Sequence, residues 1–281
     1  MTIGPAEWIL ETEKLIDCVD CDDLPKQMLE SLSQLVPFTM ATFFINRGRS
    51  RPISLYDTFP DARSKSGIEN YINGTYVLNP FYLAHLKGLE LGVYRIRDLA
   101  PDAFFENAYY KSLKITPSAE EEIGYVTKNW PAGHEEIEIA VPLGAKEDRT
   151  TAEIGLYCPL EEHTFDENQL TSLKTHLPVI GAITRKFWDL HKDNLENPPL
   201  DNRIDELFDN FGKPELSDRE QQVIQHVLRG HSSESISFNL DISITTVKTH
   251  RKRAYGKLNI SSQSELLSVF LQSIEPFLGA R

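Results

Sequence analysis

Hydrophobic and polar positions alternate along the first 190 residues in two rhythms, one helical and one of strands. Pro5 to Asp17 and Leu24 to Val36 read as helices, the second opened by Asp22 or Asp23 as N-cap with Pro25 in its first turn. MATFFIN (40–46) and PISLYD (52–57) read as strands joined by the turn RGRSR. Residues 66–90 and 101–114 read as mainly helical, with Asn79-Pro80 punctuating the first stretch. Two stronger strands follow. Ile137, Ile139, Val141 and Leu143 alternate with polar or small residues, as do Ile154, Leu156 and Cys158, so each strand is expected to bury one face.

Thr164 with Glu167 forms a capping box for a long helix on which Leu170, Leu173, Leu177, Ile180, Ile183 and Phe187 recur, with a kink expected at Pro178. Helices flanking a central antiparallel sheet make an α+β sensor domain, in the order expected of a PAS- or GAF-like fold, over residues 1–190. Residues 191–213 are polar and proline-containing and read as a linker, although Ile204, Leu207, Phe208 and Phe211 mark a short apolar stripe within it.

From Pro214 to Arg281 four helices are predicted, each opening on serine. Ser217 with Glu220 is a capping box, Val223, Ile224, Val227 and Leu228 make one apolar face, and Gly230 supplies the stop. Ser232 caps a short second helix, and after the turn at Asp241-Ile242, Ser243 caps a third running to about Leu258. Ser262 with Glu265 opens the fourth, whose apolar residues are Leu266, Leu267, Phe270 and Leu271. A short helix, a tight turn and a longer helix form the helix-turn-helix arrangement.

Charge sharpens this picture. The chain of 281 residues carries a formal charge of −13, but residues 214–281 carry +1 and the upstream part −14. Between Asp241 and Glu265 no acid occurs, while Lys248, Arg251, Lys252, Arg253 and Lys257 do, so one helix is expected to meet a polyanion. A solvated helix face is the plainer reading of the same charges. Lys248 and Lys252 are four apart, with Thr249 and Arg253 beside them, and share a face that fits the major groove. Thr245, Thr246, His250 and Arg251 are better placed for phosphates.

The run LSDREQQVI, then GHSSESISFNLDISITTVKTHRKRAYGKLNISSQSELL, resembles the LuxR/FixJ-type DNA-binding domain of bacterial transcription factors over about 50 residues. The resemblance implies that Lys248, Thr249 and Lys252 face the groove and that Leu266 to Leu271 belong to a dimerisation helix. It also implies a homodimer on a palindromic site in double-stranded DNA, with RNA polymerase as a further possible partner. Ser235 stands where that family has glutamate, so the second helix is expected to lack its reciprocal cap, and Ser237 stands where alanine packs. Upstream, the aromatic-rich stretch over 68–110 resembles the ligand-sensing half of single-chain LuxR-type regulators. Tyr71, Tyr76, Asn79, Phe81, Tyr82, Tyr94, Tyr109 and Tyr110 are the candidate contacts for a small-molecule effector. Control by a protein partner or by phosphorylation is the alternative.

The remaining chemistry is sparse. Cys18 and Cys21 have CxxC spacing, but Cys158 stands alone, so a helix-spaced pair of inert thiols is expected and neither a metal site nor any cofactor. Glu120 to Glu122 read as a solvated loop or helix start. No HExxH, GxSxG, P-loop or GxGxxG motif occurs, and no catalytic role is expected. Few cysteines, an acidic start and no long apolar run point to a cytoplasmic protein without a membrane span.

Overall fold

The computed structural model describes residues 5–102, 134–145, 148–159, 165–195 and 202–278. Residues 103–114 of the second aromatic stretch, with Tyr109 and Tyr110, lie outside these, as do Glu120 to Glu122 and Thr164. The chain divides into two compact units, one of residues 1–61, 84–98 and 133–201, the other of 62–83, 99–132 and 202–281.

The first unit holds α1 (Pro5–Asp17), α2 (Leu24–Leu35) and a five-stranded antiparallel sheet. The strands are β1 (Met40–Arg47), β2 (Ile53–Asp57), β3 (Gly92–Arg95), β4 (His134–Pro142) and β5 (Thr150–Pro159), in the order β2-β1-β5-β4-β3. Register places Phe43 opposite Ile154, Ile154 opposite Ile139 and Ile139 opposite Val93, one apolar row across four strands. Against that face pack Leu24, Met28, Leu29 and Leu32 of α2 and Leu173, Leu177, Ile180 and Phe187 of the long helix α6 (Glu167–Leu195). An antiparallel sheet with helices is thus the architecture of this region, as the two strand rhythms predicted.

The sheet departs from expectation on its other face. Alternation predicted one buried face for β4 and β5, but both faces are withdrawn from solvent along most of each strand. Glu138 and Glu153, at positions read as outward, are 0 % and 2 % exposed. Periodicity reports which residues share a side, not whether that side is covered.

Three local expectations are refined by the structure. Asp166 makes a capping box at the start of α6: its carboxylate accepts from the Gln169 amide N–H at 2.8 Å, and the Gln169 side chain accepts from the Asp166 N–H at 2.9 Å. Glu167 instead accepts from Arg95 at 3.1 Å. Asp23 is the N-cap of α2 but makes no side-chain cap bond. Cys18 and Cys21 sit in the turn between α1 and α2 rather than on one helix, where burial pushes the Cys18 thiol up to about 11.

The second unit contains α3 (Ala62–Asn73), a 3-10 turn (Thr75–Leu78) and the start of α4 (Pro80–Lys87). After the short α5 (Ile96–Leu99) and the first unit's β4, β5 and α6, it resumes with α7 (Arg203–Asn210), α8 (Asp218–Leu228), α9 (Ser233–Leu240), α10 (Ile244–Lys257) and α11 (Gln263–Leu278). The apolar stripe within 191–213 thus becomes α7, with Ile204 and Phe208 buried. Phe208 and Phe211 both meet the Phe270 ring edge to face, each at 5.4 Å. Gln221 and Gln225 of α8 donate to the Phe208, Asp209 and Phe211 carbonyls, satisfying acceptors that the end of α7 would leave open.

Candidate nucleic-acid interface and sensor residues

The C-terminal helices start where their serines stand. Ser217 accepts from the Glu220 N–H and the Glu220 carboxylate accepts from the Ser217 N–H at 2.9 Å, a closed capping box. Ser232 and Ser243 accept from the N–H groups of Ser235 and Thr246, at 3.1 and 3.0 Å. Ser262 accepts from the Glu265 N–H at 3.1 Å, while the Glu265 carboxylate reaches one residue further, to the Ser261 N–H at 2.7 Å. Gly230 ends α8 at φ 88° and Asp241 ends α9 at φ 52°, both left-handed turns that reverse the chain sharply.

These turns set α10 against α8 and α9. Val247 and Ala254 on its inner side are fully buried. Lys248, Thr249, Lys252 and Arg253 are exposed, as is Thr245, while Thr246, His250 and Arg251 are half-buried beside them. Thr249 donates its hydroxyl to the Thr245 carbonyl at 2.9 Å, so its methyl is the part left for a partner. The helix therefore has a buried apolar side and an exposed side carrying three cations within six residues. Phe238 on α9, which the sequence pattern did not single out, is 88 % exposed.

Lys257 is exposed like the stripe but is engaged within the domain. Its ammonium donates to Glu220 at 2.7 Å, across 37 residues of sequence. That lysine, with the Ser217 N–H, holds the buried Glu220 carboxyl down to about 2. A depressed carboxyl stabilises the fold above its unfolded value and loses that contribution as pH falls from about 4.5 towards 2. Spacing alone placed Lys257 in the basic run; a long-range partner takes it out.

The expected lack of a reciprocal cap on α9 is made good from elsewhere. Ser235 cannot reach back as a glutamate would, but the Asp102 carboxylate accepts from the Ser232 N–H at 3.0 Å and from the Ser232 hydroxyl. Asp102 belongs to the same unit, 130 residues away in sequence. Ser237, at the position expected to hold alanine, donates to the Ile242 carbonyl at 2.7 Å and so stitches the turn before α10.

The candidate dimerisation residues Leu266, Leu267, Phe270 and Leu271 are all buried within their unit, at 0–5 % exposure. In this conformation Phe270 faces Phe208 and Phe211, not solvent.

Among the sensor candidates, Tyr76 and Tyr82 come together. Their rings meet edge to face at 4.9 Å, and both hydroxyls donate to Asp205 Oδ2, at 3.2 and 2.6 Å. Asp205, on α7, is 3 % exposed and was not anticipated, because nothing local distinguishes it among the acids of that stretch. Asn79 is used as a cap, its side-chain oxygen accepting from the Phe81 N–H at 2.7 Å. Tyr71 and Phe81 are buried, whereas Tyr94 lies on β3, half-buried, donating to the Glu90 carbonyl at 3.1 Å. Among the described residues no helix is long and apolar enough to cross a membrane, and no cluster of His, Cys, Asp and Glu has the arrangement of a metal site.

Residues 214–270 match the family model described as bacterial regulatory proteins, luxR family. Over 118 residues, 40 % of this chain, it is 30 % identical to a putative HTH-type transcriptional regulator of Aeromonas salmonicida, of whose length it spans 60 %. It is 22 % identical to the monoamine regulon transcriptional regulator of Klebsiella aerogenes over 88 % of this chain and 90 % of that one. Among solved structures, the VqsR LBD domain of Pseudomonas aeruginosa aligns with 66 % of this chain and 99 % of its own, at 22 % identity and a TM-score of 0.49. The capped helices α8 to α10, the two left-handed turns and the family match coincide on the same residues: 214–270 are a helix-turn-helix domain of the luxR family of bacterial regulatory proteins.

Proposed function

We propose that the chain is a ligand-responsive transcription factor in which α10 enters the major groove of a palindromic operator. One observation carries the reading: Lys248, Thr249, Lys252 and Arg253 stand together in solvent on a helix anchored by Val247 and Ala254. Lysine ammonium groups donate to guanine O6 and N7, and a threonine methyl contacts the thymine methyl. Thr245, Thr246, His250 and Arg251 then contact phosphates, fixing register and supplying salt-dependent affinity. Residues 1–190 act as a small-molecule sensor of PAS- or GAF-like layering, 191–213 as the connection and 214–281 as a four-helix DNA-binding domain. The effector changes the spacing of two such domains in a homodimer.

Tyr76 and Tyr82 support the sensor reading differently from the way aromatic content did. Their hydroxyls are engaged by Asp205, so they tie the 75–82 segment to α7. An effector that reorganises this segment would release or tighten α7, which covers Phe270 of α11. The test is selection of bound duplexes from a randomised library by the full chain. An enriched inverted repeat is expected. Enrichment of a single asymmetric site, or of no site at 100 mM salt, would contradict the dimeric groove-reading model.

A further inference from the structure

The second face of the sheet carries chemistry that DNA binding does not use. Thr42 and Asn46 of β1, Glu136 and Glu138 of β4, and Glu153, Gly155 and Tyr157 of β5 share this face, with Glu138 opposite Gly155, which in turn stands opposite Thr42. Gly155 has no side chain, and the polar tips of its neighbours close over it. A Cβ there would lie 2.6 Å from the Tyr157 hydroxyl, 2.8 Å from the Thr42 hydroxyl and 3.0 Å from Glu138 Oε1. Glu138 is fully buried, neither of its carboxyl oxygens meets a donor in good geometry among the described residues, and its acid neighbour Glu136 shares a hydrogen bond with it only while one of the two is protonated. Glu153, also buried, accepts from the Asn46 amide at 2.5 Å, and the Asn46 oxygen is itself without a partner. Among the described residues no lysine, arginine or histidine pairs with Glu136, Glu138 or Glu153.

Buried acceptors without donors are costly, and buried carboxylates are tolerated only when neutralised or paired. What the face lacks is a cation with N–H donors. A metal fits poorly, because the described residues do not form a metal-binding constellation. We propose that this face is a binding site for a protonated organic amine, its ammonium held by Glu138 and Glu153. The inference rests on the ligand-sensing reading and names the chemical class of the effector.

Burial, with repulsion between neighbouring acids, supports it by holding Glu138 and Glu153 protonated when the site lacks a cation: Glu153 is pushed up to about 8 and Glu138 well above the carboxylate range, while burial raises Glu136 against hydrogen bonds with Glu138 and Tyr157. Tyr157 is also pushed up, by burial and by these carboxyls, so it stays neutral. Tyr94, opposite Glu138 on β3, donates to the Glu90 carbonyl and is shifted upward as well. An ammonium, whose ordinary pKa is near 10, remains charged throughout this range. Binding must therefore expel protons from the acids, so affinity rises with pH through about 8, where Glu153 loses its proton, and goes on rising while Glu138 still holds one.

The probes are 2-phenylethylamine and butane-1,4-diamine, each compared with the alcohol that replaces nitrogen by oxygen, titrated calorimetrically into the full chain. At least one amine is expected to bind about tenfold or more tightly than its alcohol at pH 8. That advantage should fall about tenfold by pH 6.5, and heats in buffers of different ionisation enthalpy should report proton release. Glu138→Gln should abolish the preference for the amine while the melting temperature holds. If that variant does not fold, the wild-type contrast of amine with alcohol and its pH dependence decide the matter. Equal binding of amine and alcohol, or an amine affinity independent of pH, overturns the proposal. Stabilisation by neutral acyl or phenolic compounds with no response to amines overturns it while leaving ligand sensing intact; no response to any compound removes both.

Discussion

Replacing Lys248 and Lys252 together with alanine is expected to weaken binding to the selected duplex at least roughly thirtyfold at fixed salt, with the melting temperature almost unchanged. Both side chains are exposed, so the fold loses little. Each lost base-edge contact costs about 1–3 kcal/mol, which sets the size of the effect. Arg251→Ala should behave differently. A phosphate contact is sequence-independent, so its loss weakens selected and random duplexes alike and makes the salt dependence shallower by about one ion. Fluorescence anisotropy at several salt concentrations separates the two. If the double variant weakens random DNA as much as the selected duplex, α10 is not reading bases.

The second large effect lies at Phe270. Its ring is fully buried and meets Phe208 and Phe211 edge to face, and the Arg229 guanidinium stacks 4.4 Å over Phe208. Phe270→Ala is expected to destabilise the second unit by about 3–5 kcal/mol, because the cavity sits between two helices that cannot both collapse into it. Urea unfolding at two protein concentrations tenfold apart measures this. The same loss at both concentrations means that Phe270 works within one chain, as packed here. A loss that grows on dilution means that α11 contributes to a subunit interface, the role its family resemblance implied, and that α7 must leave it first.

Legibility followed the range of the interactions. The four serines that open α8 to α11 were readable because an N-cap acts within three residues. The helical and extended rhythms located β1, β2, β4 and β5 for the same reason. What escaped was carried by distant partners. Lys257 leaves the basic stripe for Glu220, 37 residues away, and Asp102 supplies a cap to Ser232 from 130 residues away. Asp205 gains its meaning only from Tyr76 and Tyr82. Glu138 and Glu153 were placed on the correct side of their strands, yet nothing local reveals that this side is covered. The long helix was foreseen, and Asp166-Gln169 supplies a capping box for it, a pattern that Thr164-Glu167 also satisfies in the sequence.

The central claim is that one chain couples an effector to DNA. The direct measurement is the affinity of the full chain for its selected duplex with and without the compound that most raises its melting temperature. Coupling between two sites changes affinity by about 5- to 150-fold, in either direction, and the duplex must change the affinity for the effector by the same factor. A matched shift in both titrations is the result predicted here. Tight effector binding that leaves DNA affinity unchanged would contradict it, since a ligand with no preference between two states shifts neither.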